Sequence, residues 1–133
     1  MVVLSLGTLA EICFHLRSVD GAALVYERLA PWRSHVIALY AVVDGPVALY
    51  LGKLAALLGR GVAADEHFIE ALDTSYKLES PYWIARTQIT WARILHERGQ
   101  EDSGNADAMI ESALNTARRY GFGGLIEQAE GLT

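Results

Sequence analysis

The chain has 133 residues, of which 52% are apolar and 20% charged, and its formal net charge is −5. This composition excludes an intrinsically disordered chain, because disorder requires few apolar residues and a high net charge. It also argues against direct nucleic-acid binding, since affinity for phosphate backbones comes from Lys and Arg. The mean hydropathy of +0.20 indicates apolar surface that a second copy, or the rest of a longer polypeptide, covers.

Cysteine content and hydropathy bear on the cellular compartment. Cys13 is the single cysteine, so an internal disulfide is excluded, which suits a reducing cytoplasm. The N-terminus lacks the basic start of a secretory signal and already carries Glu11. The apolar run from Val36 to Leu58 is interrupted by Asp44 and Lys53, whereas a membrane-spanning helix needs about 20 predominantly apolar residues. We therefore expect a cytoplasmic protein without a membrane partner, and we interpret this run as buried structure.

Hydrophobic spacing and capping residues predict an all-α chain. Asp20 and Ser80 are predicted helix N-caps, and Pro46 is expected at the first position of its helix. Gly59 and Gly99 follow predicted helix ends, where glycine adopts the left-handed conformation at low cost. The helices are predicted over residues 3–17, 20–30, 46–58, 62–78, 81–98, 106–120 and 123–131.

Two stretches fall outside this series of helices. Residues 33–44 contain the β-branched apolar run Val36–Val43, which is either a short helix or a buried extended connector, since periodicity alone does not decide. Residues 100–105 are predicted to form a polar, flexible loop. No linker or low-complexity segment interrupts the chain, so we expect a single domain over residues 1–133.

One pattern returns three times at a constant interval. It consists of residues at relative positions 0, 4 and 7, which share one face of an α-helix. Its period of about forty residues is typical of helical-repeat arrays, in which each unit is a helix pair that buries its apolar face on its neighbours. The three copies are Ala22, Tyr26 and Leu29; Ala64, Phe68 and Ala71; and Ala106, Ile110 and Ala113.

Small residues also recur at the predicted junction between the two helices of each pair. Ala10 and Gly52 each precede the first residue of a triplet by 12 positions, and Ala92 precedes Ala106 by 14. Small side chains here allow close approach of two helices, and larger ones are expected to overpack the junction.

The middle unit resembles a tetratricopeptide repeat. The resemblance is carried by Tyr50-Leu51-Gly52, Gly59, Ala64, Phe68 and Ala71. The outer units match less well, and the period is longer than that repeat's period of about 34 residues. The resemblance implies a right-handed superhelix of antiparallel helix pairs, here three pairs plus a terminal helix.

A closer resemblance covers residues 20 to 130. It is to the C-terminal helical-repeat region of large actinobacterial signalling and transcriptional regulators, which join that region to an ATPase module and to cyclase-like or LuxR-type domains. It implies a sensor or scaffold segment instead of a catalytic one. The strings that carry it are Leu29-Ala30-Pro31-Trp32, Gly45-Pro46-Val47, Tyr50-Leu51-Gly52-Lys53-Leu54-Ala55, Leu58-Gly59-Arg60, Ala64-Asp65-Glu66-His67-Phe68 and Trp91-Ala92-Arg93-Ile94-Leu95.

No pattern of residues indicates catalysis, a cofactor or a metal. Cys13 and His15 are two apart on a predicted helix and point in different directions, so they do not form a nucleophile–base pair. The acidic stripe Glu66, Glu70 and Asp73 lacks the Glu-x-x-His pairs of a di-iron bundle. We therefore expect a protein that is not an enzyme, and His67 is interpreted as a hydrogen-bonded structural residue.

A basic set is the candidate partner-binding site. The residue after each junction position is Glu11, Lys53 or Arg93, and Arg86 and His96 lie on the same predicted helix face as Arg93. In tetratricopeptide arrays this face lines a concave groove. We predict that Lys53, Arg86, Arg93 and His96 grip an acidic peptide or carboxylate, since arginine binds carboxylates through two hydrogen bonds.

The sequence therefore predicts a non-catalytic protein-interaction or scaffold domain. Its partner is a protein or peptide, a neighbouring domain of a larger regulator, or a second copy of the chain. The alternative is a helical domain that senses a small molecule and changes shape on binding it. Trp91 is expected to be buried in the third helix pair.

Overall fold

The computed structural model describes residues 2–39, 42–99 and 103–132. Within these ranges, the backbone but not the side chains is described for residues 2–5, 37–39, 42–44 and 103. These ranges form seven α-helices, one 3₁₀ turn and one two-stranded sheet. In chain order the elements are α1 (Val2–Leu16), α2 (Val19–Leu29), the 3₁₀ turn (Ala30–Trp32), β1 (Val36–Leu39), β2 (Val42–Pro46), α3 (Val47–Leu57), α4 (Gly61–Lys77), α5 (Pro81–Arg98), α6 (Ser103–Tyr120) and α7 (Gly123–Glu130).

The predicted helix bounds agree with these to within one residue, except at the start of α6. Ser103, Gly104 and Asn105 were expected in a loop, but they form the first turn of α6. The rest of that predicted loop, residues 100–102, lies outside the described residues. Across the described ranges, no helix has both the length and the apolar content that crossing a membrane requires.

The chain divides into two compact units, Met1–Thr74 and Ser75–Thr133. The boundary falls inside α4, and no change of composition marks it. The single domain expected from the sequence therefore stays a prediction.

In the first unit, α1, α2 and α3 pack on one another around a shared apolar core. The N-cap of α2 is Ser18, whose Oγ accepts a hydrogen bond from the backbone N–H of Gly21 at 3.3 Å. The prediction of Asp20 as the N-cap is wrong; Asp20 lies in the first turn, where its charge favours the helix dipole. The core residues are Ala10, Cys13, Ala22, Val25, Leu29, Val47, Tyr50, Leu51 and Leu54.

A β-hairpin connects α2 to α3 and is the part of the chain that departs from an all-α fold. β1 and β2 pair antiparallel, with Val36 opposite Pro46 and Leu39 opposite Val42. An irregularity in the pairing leaves Asp44 without a partner position. The stretch is thus extended, one of the two alternatives for residues 33–44, although residues 40 and 41 lie outside the described residues. Pro46 ends β2 and caps α3, so it stands one position before the one predicted.

The junction between α3 and α4 is as close as the small residue Gly52 predicts. A Cβ built on Gly52 would lie 2.7 Å from the ring of Phe68, which is fully buried. Such a distance is shorter than any ordinary contact. The glycine is therefore required by the approach of the Phe68 ring.

In the second unit, α5, α6 and α7 pack around a second core. Ser80 caps α5 as predicted, with its Oγ accepting from the N–H of Trp83 at 3.3 Å. Contacts of His96 with Asp107 and of Gln88 with Ser112 show that α5 and α6 run antiparallel. The core residues are Ala85, Ile89, Ala92, Leu95, Ala106, Ile110, Ala113, Ala117, Leu125 and Ala129. Trp91, which was expected to be buried, packs against this core but is only half-buried.

The repeated triplets occupy equivalent, inward-facing positions on α2, α4 and α6. Eight of the nine residues are buried, and the ninth, Tyr26, is half-buried. The period of the sequence pattern therefore corresponds to a repeated helix face that is buried in each of the three helices.

Candidate partner-binding surface

The four predicted site residues fall into the two units. Lys53 lies on α3 in the first unit, and Arg86, Arg93 and His96 lie on α5 in the second. They differ in exposure and in the contacts their charged groups already make.

Lys53 is buried, with 6% of its surface exposed. Its Nζ donates to Oε1 of Glu11 at 2.5 Å and lies 4.9 Å from the ring centroid of Phe14. Glu11 also contacts His15, at 3.5 Å. Glu11 and Lys53 are one repeat period apart, so the pair joins equivalent positions of the first two helix pairs. The ammonium group of Lys53 is therefore already paired with Glu11 inside the first unit.

Helix α5 is buried on two opposite faces. One face packs on α6 and α7 through Ala85, Ile89 and Ala92, and the other carries Trp83 and Ile94, which are also buried. Between these faces lie Tyr82, Arg86 and Arg93, which share one side of the helix and are half-buried. In the turn between the two arginines, Ile89 and Thr90 are buried. We call Tyr82, Arg86 and Arg93 the α5 strip.

Arg86 is held in place by its aromatic neighbours. Its Nη1 donates to the hydroxyl of Tyr82 at 3.1 Å, and its guanidinium carbon lies 5.1 Å from the ring centroid of Trp83. Tyr82 in turn packs edge-on against Trp83 and Phe122, with centroid distances of 5.1 and 5.3 Å. The guanidinium is thus oriented by aromatic groups, and no carboxylate among the described residues pairs with it.

Neither Arg86 nor Arg93 forms an ion pair within the described ranges. Both side chains are half-buried, which restricts their conformations and removes part of their hydration. A carboxylate that reaches the α5 strip meets two cations that form no ion pair with the acidic residues that the structure describes.

His96 differs from the two arginines. Its Nε2 lies 3.2 Å from Oδ1 of Asp107 on α6. This contact joins the two helices at the end where they are connected. The side chain of His96 therefore contributes to the contact between α5 and α6.

An aromatic row is the part of this surface that the spacing of residues did not reveal. Trp83, Tyr82, Phe122 and Tyr120 follow one another at centroid distances between 5.1 and 5.8 Å. The first two come from the start of α5 and the last two from the end of α6 and the turn after it. Residues so far apart in the chain meet only because α5 and α6 are antiparallel, and a single sequence carries no signal of that contact.

His67 in the first unit has the structural role predicted for it. Its Nε2 lies 2.7 Å from the hydroxyl of Tyr26, and the two rings are edge-to-face at 5.6 Å. Burial lowers the pKa of His67 below its ordinary value, because the charged form is poorly solvated there. Nearby Glu70 and Glu66 oppose this effect, and Arg33 adds to it.

Within residues 2–39, 42–99 and 103–132, no group of three or more His, Cys, Asp or Glu side chains has the arrangement of a metal site. Comparisons with protein-family models, curated proteins and solved structures gave no match to this chain. The functional assignment therefore depends on the residues and contacts described above.

Proposed function

We propose that this chain is a tetratricopeptide-like superhelix whose function is to bind an acidic segment of a protein partner through the α5 strip. The observation that carries the proposal is the pair Arg86 and Arg93. They share one side of α5, and neither has a carboxylate partner in the described part of a chain that has 16 acidic residues against 11 basic ones.

The repeated design of the helix pairs supports the architectural part of the proposal. The buried triplets return at a constant interval, the Glu11–Lys53 pair links equivalent positions, and Gly52 admits Phe68 at the junction of one pair. In tetratricopeptide arrays the first helix of each pair lines the concave binding surface. In this arrangement α5 is the first helix of the third pair.

The spacing of the two arginines favours a peptide as the ligand. Residues seven apart on an α-helix are about 10.5 Å apart along its axis. Two separate carboxylates on an extended or helical segment match this distance better than one small anion. The segment that we propose therefore carries at least two acidic residues.

A signalling or transcriptional regulator is the context that the family resemblance suggests. There the domain joins other modules or recruits a partner, and it has no catalytic role of its own. A small-molecule sensor is the second candidate. Two cavities of the second unit, of about 350 and 320 Å³, are open to solvent, whereas a sensor favours an enclosed apolar pocket.

The proposal is tested by titrating the isotope-labelled protein with acetyl-hexaglutamate amide and following amide chemical shifts. We expect the shifts to concentrate on α5 around Arg86 and Arg93. Either Arg86→Glu or Arg93→Glu is expected to weaken binding by about tenfold or more, which corresponds to about 1.4 kcal/mol. Added salt weakens the complex further, because the interacting charges are partly exposed.

Arg98→Glu is the matched control, because it makes the same charge change on α5 outside the strip. This variant is expected to bind almost as well as the unaltered protein. Circular dichroism establishes that each variant is folded. Equal affinity of Arg86→Glu, Arg93→Glu and Arg98→Glu for the peptide would show that the α5 strip is not the binding site.

A further inference from the structure

We propose that a cleft in the second unit, separate from the α5 strip, binds the C-terminal residue of a peptide that ends in an apolar side chain. The cleft has a volume of about 320 Å³ and lies between the end of α4, the start of α5 and the last turns of α6. It uses none of the residues of the α5 strip, so the proposal does not depend on the proposed function.

Part of the lining of the cleft is apolar. Pro81 and Ile84 line it from the first turn of α5. Tyr76 and Tyr120 also line the cleft, and 58% and 51% of these residues are exposed. An aliphatic side chain placed here loses contact with water on several sides, which is the main source of affinity for apolar groups.

The polar part of the lining comes from α6. Ser112, Asn115 and Thr116 line it. The Thr116 hydroxyl donates to the backbone oxygen of Ser112 at 3.1 Å. The hydroxyl oxygen of Ser112 accepts from Nε2 of buried Gln88 at 3.3 Å, so the hydroxyl hydrogen of Ser112 remains available to an acceptor in the cleft.

Arg119 supplies the charge. Its guanidinium carbon lies 5.6 Å from the ring centroid of Tyr120, and it makes no ion pair within the described ranges. The neighbouring Arg118 differs, because its Nη2 lies 3.4 Å from Oε1 of Glu130. No Asp or Glu is among the described residues that line the cleft.

Tyr120 itself is fixed by the aromatic row. Its ring stacks on Phe122 with a centroid distance of 5.8 Å and an interplanar angle of 15°. Phe122 packs against the second core. The wall beside Arg119 is therefore formed before a ligand arrives, which reduces the entropy lost on binding.

The chemistry of the lining selects the ligand. Arginine and hydroxyl donors complement a carboxylate, and the apolar wall complements an aliphatic side chain within the same small volume. A C-terminal Leu or Val carries both groups on one residue. An internal Asp or Glu carries the charge without the apolar group, and a C-terminal amide lacks the charge.

Three probes separate these requirements: N-acetyl-Ala-Leu as the free acid, its carboxamide, and N-acetyl-Ala-Ala as the free acid. Binding is followed by chemical shifts of the labelled full chain. The first probe is expected to bind tightest and to move the signals of Tyr76, Ser112 and Tyr120. The other two are each expected to bind about tenfold more weakly, since each lacks one of the two matched groups.

Arg119→Gln tests the charged contact, and Arg118→Gln is its matched control one residue away. Arg119→Gln is expected to remove the difference between acid and carboxamide, while Arg118→Gln retains it. Both arginines are exposed, so both variants are expected to fold. Equal binding of acid and carboxamide to the unaltered protein, equal effects of the two variants, or shifts confined to other surfaces would each overturn the proposal.

Discussion

Lys53 shows how one buried charge shapes the first unit. Its ammonium group is taken out of water and is compensated by Glu11 and by the face of the Phe14 ring. Substituting Lys53 with Ala leaves Glu11 without this partner. We expect the free energy of unfolding in urea to fall by about 1–3 kcal/mol, the usual cost of leaving a part-buried polar group unsatisfied.

A double-mutant cycle with Glu11→Gln is the control. If the pair acts as a unit, the double variant loses less stability than the sum of the single variants, by about 0.5 kcal/mol or more. Strict additivity would contradict a direct contact between these side chains.

His67 makes the stability of the first unit depend on pH. Burial lowers its pKa in the folded state below the ordinary value of 6.5, so the unfolded state binds a proton more readily. The contribution of neutral His67 is fully present above pH 6.5 and is lost as the pH falls below that value. Urea unfolding of the unaltered protein and of His67→Gln between pH 5 and pH 8 measures this effect. We expect the stability difference between the two proteins to shrink toward pH 5, and a constant difference would contradict it.

The spacing of residues along the helices correctly predicted several buried positions. The triplets, Gly52 and Ser80 occupy the positions predicted for them. It failed at Lys53, which was expected to face a partner and is buried instead. The partner for its charge is Glu11, which lies on α1, and an ion pair between distant helices has no local signature in the sequence.

At the level of the helices, the close approach of the Phe68 ring to Gly52 predicts the effect of a substitution at Gly52. Gly52→Ala places a Cβ against the buried Phe68 ring. We expect a loss of about 1–3 kcal/mol in the free energy of unfolding, as overpacking of a core produces. Denaturant unfolding measures it.

Gly104→Ala is the matched control, because it also replaces a helical glycine. A Cβ at Gly104 meets no atom within 4 Å. Alanine is favoured over glycine inside a helix by about 0.5–1 kcal/mol, so this variant is expected to be neutral or more stable. Destabilisation of similar size at both positions would show that contact with Phe68 is not the cause.

The composition of residues 33–44 is compatible with both a short helix and an extended connector. The apolar, β-branched run favours extended structure. The Asp-Gly dipeptide that marks a two-residue hairpin turn occurs here as Asp44-Gly45, but it lies within β2 and not between the strands. The pairing of β1 with β2 is therefore visible only in three dimensions. The early start of α6 was not predicted for a different reason. Ser103, Gly104 and Asn105 have weak helix propensity, and a short polar stretch of this kind is typical of a loop.

For the whole molecule, exposed apolar residues on α1 give a prediction about self-association. Leu9, Ile12 and Leu16 share one face of α1 and are 45%, 46% and 72% exposed. Apolar stripes of this kind are common at interaction surfaces. We expect light scattering over a dilution series to give a mass above 14.5 kDa at high concentration, and Leu16→Glu to restore the monomer. A mass of one chain at every concentration would exclude association through this stripe.

The helical character of the fold could be predicted from the sequence, whereas the contacts on the surface of α5 could not. The period of the triplets identified the helix pairs, and counting from Ala92 identified Arg93. The aromatic row that orients Arg86 and Tyr120 depends on how α5 and α6 pack. The orientation of Arg86 and Tyr120 therefore depends on contacts between residues far apart in the chain, which spacing within one helix does not reveal.

The central claim is that Arg86 and Arg93 together form the site for an acidic segment. The most direct measurement is the dissociation constant of acetyl-hexaglutamate amide, by calorimetry, for the unaltered protein and for the folded double variant Arg86→Glu/Arg93→Glu. We predict saturable binding to the unaltered protein and no detectable binding to the double variant. An unchanged dissociation constant in the double variant would contradict the claim.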